Sequence, residues 1–332
     1  MKRLCVRLWS LVLVCLLALP VSAQYATTFV AVGLEDEALA QRVNTTLSGV
    51  LTAFNQAQKE EGKLDQLLAG LHVAPEAVKD ILTLWNGCPF RCTDTKVVES
   101  CTTTADGQYQ VRNIPLMMVP ADPENGTWKK YQEGVFVFNE AGQVTDFHLA
   151  LSADLYIKVM RTTDAVNDFV QRQLILEYVE RFRNAYNLKD MNFLEQVYSD
   201  DALIITGKVI TTVKSEITAS GLSNKKVVYS RQSKREYLDK LARIFRTNKR
   251  INVLFDDIKV MKHPAKPNFY GVTLKQGYES DRYRDEGYLF LLWDFTNPDA
   301  PQIHVRTWQP DKIDINTPLP EEEVFSIDDF DI

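Results

Sequence analysis

The chain has 332 residues, 45% of them hydrophobic and 25% charged, with 38 Lys+Arg against 44 Asp+Glu and a formal net charge of −6. An acidic balance argues against nucleic acid and anionic membrane surfaces as general partners, because both need a basic footprint. A chain of this length is expected to form about two domains.

Lys2, Arg3 and Arg7 precede an apolar run from Leu8 to Leu19, which is followed by Pro20 and Val21-Ser22-Ala23. This pattern predicts a secretory signal peptide over residues 1–23, cut after Ala23. The run is too short for a membrane span, which needs ~20 apolar residues. Cys15 lies inside it, where a lipidated cysteine would instead begin a polar mature chain. Removal of the leader takes away three basic residues and brings the formal charge from −6 to −9. No other segment is apolar and long enough to cross a bilayer. The mature chain is therefore expected to be soluble and periplasmic or secreted.

The first half, residues 24–160, opens with helical periodicity after Glu35. Leu39, Val43, Leu47, Val50 and Phe54 recur in steps of three and four, and Gly62 is the expected stop. A short helix around Leu64–Leu71 follows, then a third with Pro75 at its first turn, Val78, Ile81, Leu82 and Trp85 on its apolar face, and Gly87 at its end. Beyond the cysteines the period changes to two. Strands are expected over Lys96–Thr104, Gln108–Val119, Tyr131–Asn139 and Gln143–Leu151, with Asn139–Gly142 as a hairpin turn. Cys88, Cys92 and Cys101 remain after leader removal. In an oxidising compartment, Cys92–Cys101 or Cys88–Cys101 are the candidate disulfides, and spacing alone does not choose between them. A zinc site is disfavoured for want of a nearby fourth ligand. No metal or cofactor is expected.

The second half, residues 161–317, repeats the plan of helices followed by a meander. Asp164 is a candidate N-cap, and Ile175, Tyr178, Val179, Phe182, Ala185 and Tyr186 form an apolar stripe. A turn at Asn187–Asp190, a short helix with Phe193, Leu194 and Val197, and a strand from Ala202 to Thr206 follow. Ser233-Lys-Arg-Glu236 is a capping box that opens a helix with Tyr237, Leu241, Ile244 and Phe245 inward. Four strands are expected over Ile251–Met261, Asn268–Tyr278, Glu286–Phe295 and Gln302–Gln309. Tyr278–Arg284 reads as an exposed loop with Tyr283 as a contact residue. Glu133–Phe138 resembles Glu286–Leu291, which makes the first half a candidate divergent copy of the second. Residues 318–332 read as a solvated, partly disordered acidic tail. The sharper alternative is a docking motif built on Val324, Phe325, Ile327 and Phe330.

The run of helix, turn, helix, acidic turn and strand is carried by Tyr178–Phe182, Ala185–Asn187, Lys189-Asp190, Phe193-Leu194 and Ser199–Ala202. It resembles the start of the nuclear transport factor 2-like superfamily, which includes SnoaL-like proteins. Phe255–Ile258, Tyr270–Gln276 and His304–Pro310 also resemble exported Bacteroides-type proteins of unknown function. The resemblance implies an α+β fold, with helices packed on a curved antiparallel sheet and a pocket between them. It implies little chemistry, because such folds host isomerases, dehydratases, binding modules and oligomerisation domains.

Residues two apart in a strand share a face, so His304, Arg306 and Trp308 are expected to point the same way, with Asp294 opposite. A carboxylate beside a histidine is the minimum for acid–base work. The sharp reading is a pocket with Asp294 and His304 as catalytic residues and Tyr270, Trp293, Arg306 and Trp308 as ligand contacts. The plainer one is an Asp294–Arg306 cross-strand ion pair on a solvated face. Asp256 and Asp257, as strand neighbours, are expected on opposite faces. The function expected first is a non-enzymatic exported protein that binds an envelope protein or a small-molecule ligand. An isomerase or lyase is the alternative, and a homodimeric scaffold the third reading.

Overall fold

A computed structural model describes residues 25–58, 64–104, 106–119, 131–161, 169–212, 224–314 and 316–330. The leader, the expected stop at Gly62 and the expected cap at Asp164 lie outside the described residues. The chain divides into two compact units, with the boundary between Leu149 and Ala150.

The first unit runs β1 (Thr28–Val32), α1 (Glu37–Ala57), α2 (Leu64–Leu68), α3 (Pro75–Gly87), β2 (Phe90–Arg91), β3 (Lys96–Thr103), β4 (Tyr109–Met118), β5 (Tyr131–Phe138) and β6 (Val144–Leu149). Helix α1 starts where Asp36 accepts from the N–H groups of Ala38 and Leu39, which satisfies two of the four free donors of its first turn. The predicted stripe from Leu39 to Phe54 is buried along its whole length. It meets Trp85, Phe90, Phe136 and Phe147 in one aromatic cluster around Phe54. Gly142 takes φ 72° in the predicted hairpin turn. The sheet order is β1-β3-β4-β5-β6, with β1 parallel to β3 and β2 paired to β4.

The expected disulfides are not formed. Cys88, Cys92 and Cys101 are buried and not bridged to one another. The sulfurs of Cys88 and Cys92 lie 3.8 Å from the carbonyl oxygens of Pro89 and Asp94, respectively. Cys101 sits in β3 opposite Val111. Burial raises the Cys92 thiol and pushes Cys101 up to about 11, so both are held away from the nucleophilic thiolate.

The second unit runs α4 (Ala153–Arg161), α5 (Phe169–Asn187), α6 (Met191–Val197), β7 (Tyr198–Thr212), β8 (Asn224–Gln232), α7 (Lys234–Thr247), β9 (Ile251–Lys262), β10 (Phe269–Ser280), β11 (Arg284–Asp294) and β12 (Gln302–Pro310). A small hairpin, β13 (Lys312–Asp314) and β14 (Thr317–Pro318), leads into the carboxyl-terminal segment. Helix α4, β1, β2 and β8 have no counterpart in the sequence-based expectation. Leu155 and Val159 of α4 pack into the second core, and Lys158 Nζ reaches Asp257 Oδ1 at 2.6 Å. The second unit therefore takes in residues 150–160, which the sequence reading assigned to the first half. The predicted capping box is present at the start of α7, with Ser233 accepting from Glu236 N and Glu236 returning to Ser233 N.

The strand order is β8-β7-β12-β11-β10-β9, antiparallel except for β7 beside β12. Alternate residues of β11 divide between two apolar layers. Leu289, Leu291 and Trp293 join the helices in the main core, while Phe290 and Leu292 face the other way. Helices across one face of a mixed sheet, with a cleft between the two, give the α+β layering that the sequence resemblance implies. Both units lay helices on a four-stranded antiparallel meander, which fits a duplicated plan. The parallel strand, however, joins opposite ends of the two meanders, as β1 sits beside β3 and β7 beside β12.

Two local expectations fail for backbone reasons. A bulge in β9, with Asp257 at φ 46°, leaves both Asp256 and Asp257 exposed rather than on opposite faces. The acidic tail is not free over its described residues. Ile327 is 3% exposed, and Phe325 and Phe330 pack with it on the outward Phe290, Leu292 and Val305. The buried Gln309 staples this strap. Its Nε2 donates to the Glu323 carbonyl at 2.7 Å, and its Oε1 accepts from Phe325 N at 2.8 Å.

Candidate functional site

A cleft of about 830 Å³ opens between α7 and the β7-β8-β12 side of the sheet in the second unit. Helix α7 contributes Tyr237, Leu241 and Ile244, because its capping box sets the start that turns this stripe inward. Ile210 and Val228 extend the apolar wall from β7 and β8. Trp308 reaches the cleft across Gly287. A Cβ on that glycine would stand 2.9 Å from the indole and 2.1 Å from the Gln309 carbonyl oxygen.

Arg306 lines the same cleft at 7% exposure. Its guanidinium lies 4.9 Å from the centre of the Tyr237 ring, a cation–π distance. The Tyr237 and Tyr186 hydroxyls are 2.6 Å apart, and Tyr186 and Tyr198 are 3.1 Å apart, so a phenol relay flanks the cation. Burial opposes the charge of Arg306, the oxygens of Tyr237, Tyr186 and Tyr198 favour it, and the balance holds it above its ordinary value. Among the described residues no carboxylate lies within ion-pair distance of it, and its Nε has no hydrogen-bond partner. Trp308 Nε1 and Asp285 Oδ1 are likewise buried without partners. Burial raises the Asp285 carboxyl, against the opposing influence of Tyr283 and Arg306. Burial also pushes Tyr278 up to about 12. Tyr283, expected as a contact residue in the β10–β11 turn, lines the cleft.

The expected constellation is divided by the sheet. Asp294 and His304 do come together, with Nε2 and Oδ2 3.7 Å apart, and the other ring nitrogen stands 3.7 Å from Asp201 Oδ1. They do so on the outer face, against Phe269 and beside a hollow of about 530 Å³ lined by Arg231, Phe325 and Asp329. A bulge in β12 between Ile303 and Val305 reverses the alternation, so Arg306 and Trp308 face the cleft while His304 does not. For the same reason the Asp294–Arg306 ion pair is absent. Asp294 instead accepts from Thr296 N at 2.7 Å and closes the turn. Tyr270 and Trp293, expected as ligand contacts, belong to the main core at 5% and 0% exposure. Sequence reading missed Asp285 and Tyr237 as cleft residues. The inward stripe of α7 signalled Tyr237, whereas Asp285 fell between the loop read over Tyr278–Arg284 and the strand read from Glu286.

No family model matches the chain, and no curated protein does. Solved structures with partial likeness include the Bdellovibrio bacteriovorus protein Bd1075, at 16% identity and a TM-score of 0.32, covering 51% of this chain and 46% of that one. A nuclear transport factor 2-like protein from Cytophaga hutchinsonii is matched at 14% identity and a TM-score of 0.31, over 42% of this chain and 98% of that one. The helical cell shape determining protein Pgp2 from Campylobacter jejuni is matched at 14% identity and 0.32, over 42% and 41%. The chain thus spans less than half the length of the Bdellovibrio and Campylobacter proteins.

Proposed function

We propose that this chain is an exported protein of the cell envelope that binds a small molecule in the cleft of its second unit and does not transform it. The carrying observation is the cleft itself. A hollow of about 830 Å³ walled by Leu241, Ile244, Ile210 and Val228, with a few convergent polar groups, has the size and lining of a ligand site. The outer-face pair of Asp294 and His304 lies apart from this cleft, which favours binding over acid–base catalysis there. Export rests on the leader pattern of residues 1–23.

Native mass spectrometry of the protein purified from the envelope fraction of its host tests both parts. The expected result is a chain beginning at Gln24 that carries a small-molecule mass, and Ile210→Trp, which fills the cleft, removes that mass. A chain retaining residues 1–23 in the cytoplasm would refute export. A small-molecule mass that persists in the filled-cleft variant would place the ligand elsewhere.

A second reading, isomerase or lyase chemistry, is favoured by one observation, the raised carboxyl of Asp285 beside Arg306. Under it, Asp285→Asn abolishes turnover while leaving ligand binding intact.

A further inference from the structure

The cleft has a charge opposite to that of the chain around it. Its ionisable lining comprises Lys208, Lys240, Arg282 and Arg306, with Asp285 as the acid, in a chain of net charge −6. Lys240 spends its ammonium on the neutral Gln232 side chain at 2.6 Å, not on a carboxylate. Arg306 is the deepest of these cations, at 7% exposure and without an ion pair among the described residues. Removing a guanidinium from water carries a cost of several kcal/mol that only a counter-charge or several hydrogen bonds offsets. A phenol relay and one aromatic face supply part of that, and an anion would supply the rest. The unpartnered atoms on the lining are two donors, Arg306 Nε and Trp308 Nε1, and two acceptors, Asp285 Oδ1 and, at the end of α7, Asn248 Oδ1. The walls are otherwise aliphatic and aromatic.

We propose that the ligand is a small carboxylic acid with an apolar body, its carboxylate paired with Arg306 and its body laid between α7 and the strands β7 and β8. This rests on the reading of the cleft as a ligand site and adds the chemical class. The planar fork of Arg306 matches a carboxylate with two parallel hydrogen bonds, which a hydroxyl or an amide of the same shape cannot accept in full. Lys208, Lys240 and Arg282 attract the anion to the cleft and add a salt-dependent contribution.

Calorimetric titration with matched pairs decides it, using 1-naphthoic acid against 1-naphthalenemethanol and decanoic acid against decanol. The wild-type protein is expected to prefer each acid to its alcohol by about tenfold to a hundredfold, the range for a hydrogen bond to a charged group. In Arg306→Gln the preference collapses to about one, with alcohol affinity unchanged. Should Arg306→Gln fail to fold by circular dichroism, the rim variant Lys240→Gln/Arg282→Gln carries the test. It lowers acid affinity, leaves alcohol affinity alone and flattens the salt dependence. Equal binding of acid and alcohol overturns the anion assignment and leaves the cleft as an apolar site. Binding of neither member of either pair overturns the assignment and the ligand-site reading together.

Discussion

Ile327→Ala tests whether the carboxyl-terminal strap is part of the folded second unit. Ile327 sits over Gly271 and among Phe290, Leu292 and Val305, with its Cβ 3.1 Å from where a Gly271 Cβ would be. The substitution removes three carbons, worth about 2.4 kcal/mol at roughly 0.8 kcal/mol per buried methylene. A cavity would add to this in a deep core, where such changes cost about 2–5 kcal/mol. The strap cannot reach the upper end of that range. It is held by one buried isoleucine, two half-buried phenylalanines and the Gln309 staple. Once these contacts no longer offset the ordering of its backbone, at about 1–2 kcal/mol per residue, it detaches and the loss stops growing. The expected cost is therefore about 2–3 kcal/mol. For a unit of this size that lowers its melting transition by about 4–12 °C. Deletion of residues 321–332 costs no more than that, since it removes contacts and ordering together. Scanning calorimetry reads the shift, and amide exchange reads the Phe325 N–H, protected in the wild type by its bond to Gln309 and exposed in the variant. A melting transition within about 1 °C of wild type, together with a fast-exchanging Phe325 amide in the wild type, would refute the docked strap.

Gly287→Ala destabilises the second unit by about 1–3 kcal/mol or more, because the new methyl meets the Gln309 carbonyl and the Trp308 ring, and a shift in Trp308 fluorescence accompanies the loss. Asp285 has a raised carboxyl, so its contribution to stability is complete below the unfolded-state value of about 3.9 and is lost as pH rises through the higher folded value. Asp285→Asn removes that dependence. In urea unfolding it gains on the wild type as pH rises toward neutrality, and a stability difference independent of pH would contradict the raised Asp285 carboxyl. The three thiols react with a disulfide reagent only after denaturation, since all are buried and those of Cys92 and Cys101 are raised; rapid reaction of the native protein, or a two-dalton gain on reduction, would contradict this account.

Much of this protein follows from short-range sequence rules. The Ser233 cap, the stripes of α1 and α5, the Asn139–Gly142 turn and the four strands of each meander depend on neighbours three or four residues apart, or on a period of two. Such signals survive without knowledge of what the chain packs against. The resemblance in residues 178–202 extends this to the layer order, because a helix–turn–helix–strand run leaves few ways to bury its apolar faces.

The site depended on what those rules do not carry. One extra residue at the β12 bulge sends His304 to the outer face and Arg306 and Trp308 to the cleft, and alternation read from sequence has no means of locating that residue. The parallel pairing of β7 with β12 joins segments about a hundred positions apart, so Trp308 and Thr206 meet only in the folded sheet. The tail reads as solvated because its acids are. Its apolar residues find a partner only when Phe290, Leu292 and Val305 are gathered on one outward face. The sequence alone settles the longer helices and the strands of the two meanders, while α4, β1, β2 and β8 emerge only in the folded chain. Which side of the sheet each side chain occupies, and therefore which groups share a cleft, is decided by long-range register, where a shift of one residue exchanges the two faces.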